Sequence, residues 1–201
     1  VDIEKLMSVR EQLYYKEGVT TTVNVERDPS GGALYLRVTG KTDASTTEDM
    51  RTQLLLAHLP ALLHDEPKDA LVIGLGSGVT LGALLHYPGI RSADCVEIAA
   101  EVLEASHFFG PWNDDYHLDP RQKIVIEDAR NFLLLTDRRY DLVTSEPSNP
   151  WIAGVGTLFT REFFQLGRER LSDGGLFCQW ISLLKMELAD FRSVVRTFTE
   201  V

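Results

Sequence analysis

The sequence predicts an α/β protein in which a mostly parallel sheet is covered by helices on both faces and preceded by a small antiparallel β meander. Two observations carry this expectation. From Ala70 onward five short apolar runs, ALVIG, ADCVEI, KIVIE, YDLVTS and GLFCQW, recur with helix-forming segments between them. Continuous apolar runs mark strands buried on both faces, which is how parallel sheets read. Before that point, residues 11–45 have a different texture, rich in Tyr, Val and Thr and partly alternating, as half-buried antiparallel strands do.

The elements run in order along the chain. EQLYYKEG, TTVNVE and ALYLRVTGK are the meander strands. Gly18 separates the first pair, and Asp28-Pro29-Ser30-Gly31-Gly32 is a hairpin signal between the next. A helix is expected over 47–64, with Thr46 or Thr47 as its cap ahead of Glu48 and Asp49. The segments VTLGALLHY, AAEVLEASHFF, ARNFLLLT and TREFFQLGRERL are the crossover helices, and ELADFRSVVRTF is a last amphipathic helix. The chain therefore divides into a meander over 1–46 and a nucleoside-binding α/β unit over 47–201.

Composition narrows the function. A net charge of −10 over 201 residues argues against nucleic acid and anionic membranes, which select clustered Lys and Arg. No apolar run reaches the roughly 18 residues needed to span a bilayer, and VDIEKLMSVR lacks a signal-peptide pattern. The start on Val1 rather than Met suggests a piece of a longer chain. Cys95 and Cys178 sit in separate apolar runs, which reads as reduced thiols in a cytoplasmic protein. The five histidines have no metal-ligand spacing, so no metal is expected.

The first parallel strand runs into GLGSG, with Gly74, Gly76, Ser77 and Gly78, and a helix comes next. Glycines there let the backbone turn sharply and approach a ligand. The next strand ends in Glu97, placed to accept both hydroxyls of a ribose. The third ends in Asp128-Ala129. Asp128 suits an adenine amine and equally suits the cap of ARNFLLLT, and the two roles are compatible. These features indicate adenosine. The spacing Gly-x-Gly-x-Gly leans away from a dinucleotide, since the third glycine falls one residue early.

The fourth strand ends in Glu146, with Pro147, Ser148, Asn149 and Pro150 directly after it. A carboxylate fixed by prolines at a strand end can bind an ammonium, orient it and take its proton. The alternative is a solvated Glu in a proline-shaped connector. Asp43, in GKTDAS, either faces the same cleft or is a turn residue. Trp151–Thr160, with two glycines, reads as a flap over the site. The aromatic segment HFFGPWNDDYH either edges the site or is a loop anchored by Phe108 and Trp112.

The order of these motifs resembles the spermidine/spermine synthase family: a strand into GLGSG, then VEI, DPRQKIVIEDARNFL, YDLVTSEPSNP and LFTREFF. GKTDAS and SEPSNPWIAGVGTLFTREFF point to its bacterial branch, in which the synthase-like domain is often fused to membrane segments. The resemblance runs from about residue 11 to the C-terminus and is most specific over Ala70–Leu176. It implies a methyltransferase-like Rossmann fold behind an N-terminal meander, without a metal. It also implies transfer of an aminopropyl group from decarboxylated S-adenosylmethionine to a polyamine or related amine, often in a homo-oligomer.

By the same resemblance Glu97 holds the ribose, Asp128 and Ala129 the adenine, Gln53 the donor nucleoside, and Glu146 stands at the catalytic carboxylate. Asn149 and Thr52 line the amine side, where Asp43 would join them if it faces the cleft. This sequence departs from the pattern at several positions, among them Leu54, which stands where an acid is usual. Asn149 stands where a second acid is usual, Thr52 where a tyrosine is usual, and Ser77 where an acid usually anchors the donor's ammonium. Those departures keep two other readings alive: a methyltransferase using intact S-adenosylmethionine, and a non-catalytic nucleoside-binding regulatory domain. Sheets of this kind commonly finish in an antiparallel hairpin, for which there is no signal after Phe198.

Overall fold

A computed structural model describes residues 10–19, 21–148, 154–183 and 186–201. The meander has four strands, β1 (Glu11–Glu17), β2 (Thr22–Arg27), β3 (Leu34–Val38) and β4 (Lys41–Ser45), in the order β1-β2-β3-β4. All of its pairings are antiparallel. The fourth strand, KTDAS, goes beyond the sequence expectation. It is short and polar, and it is held by pairing with β3, where Tyr35 lies opposite Ser45. Asp43 therefore belongs to a strand and not to a simple turn.

Helix α1 (Met50–Leu63) begins later than expected, and neither threonine caps it. The Thr46 hydroxyl instead accepts from the Leu34 amide at 2.9 Å, and the Thr47 hydroxyl lies 3.1 Å from Ser45 Oγ. Both threonines are drawn into the end of the meander, so Asp49 occupies the cap position without a side-chain bond to the helix.

The second sheet is built from β5 (Asp69–Ile73), β6 (Ser92–Glu97), β7 (Gln122–Ile126), β8 (Tyr140–Ser145) and β9 (Leu171–Gln179). Its order is β7-β6-β5-β8-β9, and every pairing is parallel. The chain winds outward one way through β6 and β7, then reverses to β8. The crevice at that reversal, beside the carboxyl ends of β5 and β8, is where such sheets bind ligands.

Alternate residues of β5 serve two cores. Ala70 and Val72 pack with α1, α2 (Val79–Leu85) and α3 (Ala100–Ser106). Leu71 and Ile73 pack with α5 (Ala129–Leu135) and with Phe163 and Phe164 of α6 (Arg161–Glu169). A strand buried on both sides needs apolar residues at every position, which is why ALVIG shows no alternation. The first core also takes in Val23, Val25, Leu34 and Leu36 of the meander, so the two sheets share one apolar interior. Helix α7 (Leu188–Thr199) lies against the second core through Val194 and Phe198. No described helix is long and apolar enough to cross a membrane.

Candidate active site

The carboxyl ends of β5, β6, β7 and β8 form one rim. Ile73 is in register with both Val96 and Ser145, and Glu97 is in register with Ile126. Gly74, Glu97, Asp128 and Glu146 therefore leave the sheet side by side. The ladder continues one step beyond the strands: the Gly74 amide donates to the Val96 carbonyl and the Glu146 amide to the Ile73 carbonyl, each at 2.9 Å.

The glycine turn requires its glycines. Gly74 has φ +90°, and a Cβ there would lie 2.7 Å from the Glu146 carbonyl oxygen. Gly76 has φ +52°, and a Cβ would meet nothing within 4 Å, so its open side faces free space. The turn is braced from below by the short helix α4 (Gly110–Asn113) and its surroundings. Asn113 Nδ2 donates to the Ser77 carbonyl at 2.8 Å and to the Ser106 carbonyl at 2.9 Å, and Tyr116 packs against Gly78. The deepest anchors of HFFGPWNDDYH are Phe109, Asn113 and Tyr116, all at most 1% exposed; Trp112, as expected, packs against the core, while Phe108 is 38% exposed. The sequence points to Phe108 only because neighbouring aromatics cannot be told apart without the helix phase.

Glu97 is buried and accepts two backbone amides, Leu75 at 2.9 Å on Oε2 and Ala99 at 3.0 Å on Oε1. Burial pushes its acid above the ordinary carboxylate range, and the amides pull it back in part. Each oxygen keeps a lone pair for a further donor. Ile98 comes next at the rim with an exposed apolar side chain. Asp128 caps α5, accepting from the Asn131 amide at 3.0 Å, so its capping role is realised; Ala129 is the buried first residue of that helix.

Gln53 and Ser77 form a closed pair. The Ser77 hydroxyl donates to Gln53 Oε1, and Gln53 Nε2 donates to the Ser45 carbonyl at 3.2 Å. Both side chains are buried. Thr52 precedes Gln53 on α1 and is partly buried.

Glu146 receives a contact that sequence reasoning does not reach: Thr80 Oγ1 lies 2.8 Å from its Oε2. Burial pushes the Glu146 acid from its ordinary 4.5 up to about 7, with the nearby carboxylates of Asp49 and Asp43 adding to the rise. Among the described residues no Lys, Arg or His pairs with it. Asp43 accepts from Lys41 Nζ and from Ser148 Oγ, each at 2.6 Å, tying β4 to the segment after Glu146. Ser145 Oγ and Gln179 Oε1, on strand positions in register, are buried atoms without a hydrogen-bond partner among the described residues. Asn149, Pro150 and residues 151–153 of the expected flap lie outside the described residues. The remainder of that flap is a packed turn, Val155–Phe159, with Phe159 buried.

Comparison with known proteins gives the same architecture. The chain matches the spermine/spermidine synthase domain model over residues 49–201. It is similar to the polyamine aminopropyltransferase of Thermotoga petrophila, 26% identical over 171 residues that span 85% of this chain and 57% of that protein. It is also similar to polyamine aminopropyltransferase 2 of Pseudomonas aeruginosa, 35% identical over 137 residues, 66% of this chain and 38% of that one. Among solved structures, it matches spermidine synthase in complex with the transition state analogue AdoDATO, with a TM-score of 0.86 and 24% identity. That match covers 95% of this chain and 65% of the other, and at that identity it is a likeness of fold. The chain thus spans little more than half the length of the first of these relatives. The matched stretch takes in α1, the glycine turn and the acids at 97, 128 and 146 in unbroken order. On that ground the chain belongs to the spermine/spermidine synthase family.

Proposed function

We propose that the site transfers an aminopropyl group from decarboxylated S-adenosylmethionine to a small polyamine or related amine, with Glu146 as the amine-binding base. The observation that carries this reading is a half-buried carboxyl at the carboxyl end of β8, hemmed in by protein atoms beside the glycine turn, with no cationic side chain paired to it among the described residues. Such a group is costly to ionise alone and favourable to ionise beside a cation. An ammonium is a cation of fitting chemistry.

In this reading Glu97 accepts the ribose hydroxyls, and Asp128 accepts from the adenine amine with the lone pairs its cap leaves free. Ala129 and the exposed Ile98 supply apolar surface for the ring, and the open side of Gly76 admits the nucleoside. Gln53 acts through Ser77, which it holds in place. Glu146 takes a proton from the amine, whose lone pair then forms a C–N bond to the carbon next to the sulfonium. The C–S electrons return to sulfur, and methylthioadenosine leaves. Thr52, Asp43 and Asn149 belong to the amine side. A homo-oligomer is part of the same proposal, supported by the exposed Leu55, Leu59, Leu62 and Leu63 on α1.

One observation favours a second reading, a methyltransferase. The neutral Ser77–Gln53 pair puts no fixed negative charge on the glycine turn to repel the carboxylate of intact S-adenosylmethionine. Calorimetry with both donors, then product analysis with putrescine and spermidine, tests the choice. Tight binding of the decarboxylated donor and an elongated amine product are expected. A clear preference for intact S-adenosylmethionine overturns the first reading. If nucleosides bind and no amine is modified, the domain is a nucleoside binder only.

A further inference from the structure

The Thr80 hydroxyl sits between two acceptors. Its Oγ1 lies 2.8 Å from Glu146 Oε2 and 3.1 Å from the backbone carbonyl of Gln53 on α1. A hydroxyl has one proton to give and two lone pairs to receive with. If Glu146 is ionised, the single proton serves one neighbour and leaves an unbridged oxygen pair with the other. If Glu146 carries a proton on Oε2, both contacts are satisfied: the acid donates to Thr80, and Thr80 donates to Gln53. Thr80 is itself buried, so water does not readily supply the missing bond.

We infer that Thr80 is the positioning residue for Glu146: at rest it accepts the acid's O–H while donating to the Gln53 carbonyl, and when a cation arrives it turns its one O–H onto the carboxylate and steadies the ionised form. The charged and titratable groups acting on Glu146 from the packed elements are Asp43 on β4 and Asp49 at the start of α1, with Cys95 on β6 and Cys178 on β9 as neighbouring thiols. The two acids disfavour a lone carboxylate there, and the two thiols, held neutral by burial and by the acids around them, supply no cation to offset it. The rotation keeps the side chain tethered in both protonation states. The functional meaning of the switch rests on Glu146 being the amine-binding base; the switch itself is a property of the ligand-free protein.

That separation fixes the experiment. Protein labelled with carbon-13 at glutamate carboxyls is titrated without ligand by infrared spectroscopy, and Glu146→Gln identifies the band. In the wild type a hydrogen-bonded acid band is expected at pH 6 and lost by pH 8, because burial and the neighbouring acids together, offset in part by the Thr80 bond, push the midpoint up to about 7. Bonds to a carboxylate are roughly twice as strong as bonds to a neutral acid, so Thr80→Val destabilises the ionised form more and raises the midpoint by about one pH unit. Thr80→Ser restores it. The acid limb of kcat/KM moves with the midpoint, which a purely structural role would leave in place. Glu146 already ionised at pH 6 overturns the inference, as does a folded Thr80→Val with an unmoved or lowered midpoint. The wild-type titration decides even where Thr80→Val does not fold, and loss of amine transfer with the band intact refutes only the functional reading.

Discussion

Neutralising Glu146 should make this protein more stable in alkaline solution and nearly no different in acid. The folded acid titrates at about 7 against an ordinary value of 4.5. Between those two pH values the folded protein holds a proton that the unfolded chain has released, so stability falls as pH rises through that window, and the loss is complete above it. At about 1.4 kcal/mol per pH unit, the total cost in the wild type is about 3 kcal/mol. Glu146→Gln removes the ionisation and keeps the shape. Urea unfolding monitored by circular dichroism at pH 5, 6, 7 and 8 gives the comparison. The variant should match the wild type within about 1 kcal/mol at pH 5 and exceed it by about 3 kcal/mol at pH 8, or roughly 6–12 °C in Tm. Every other group is common to both proteins and cancels in the difference. Stability curves running parallel from pH 5 to pH 8 would refute the reasoning, because Glu146 would then titrate as a solvated carboxyl.

Three further outcomes are expected. Amine affinity should rise about tenfold per pH unit up to about 7 and then level off, since only the ionised Glu146 attracts the ammonium; a flat calorimetric profile would count against it. Arg138→Ala leaves Asp94, 2% exposed, without the Nη1 that donates to both its oxygens at 2.7 Å and with only the Tyr140 hydroxyl. Denaturant titration should register a loss of about 3 kcal/mol, the low end for a buried pair because the Arg138 side chain is 40% exposed. Gly74→Ala forces a side chain into a left-handed conformation against the Glu146 carbonyl, so it should cost at least about 1–2 kcal/mol and lower turnover more than nucleoside binding.

The parallel sheet is legible in the sequence because buried strands leave an unbroken apolar imprint, and ALVIG, ADCVEI and YDLVTS carry it. The rim is legible for a related reason. Strand ends are punctuated by distinctive residues: glycines after β5, an acid at the end of β6, prolines after β8. The features that stay hidden depend on tertiary partners. β4 is a strand because β3 pairs with it, since KTDAS has little strand character of its own. Thr46 and Thr47 look like helix caps, but the meander recruits both hydroxyls. Thr80 is invisible within VTLGALL, an apolar helical run, because its meaning lies 66 residues away at Glu146. Gln53 and Ser77 each stand out alone in the sequence, and only the folded chain makes them a pair.

The bond from Asp43 to Ser148 joins residues 105 positions apart. In the proposed reaction it makes the first strands part of the scaffolding, since the backbone carrying Glu146 is moored to them two residues further on. Swapping this N-terminal sheet for a relative's would therefore be a perturbation of turnover as much as of folding. A graft chosen only for a matching apolar interior would keep the molecule folded and leave the Glu146 carboxyl out of true.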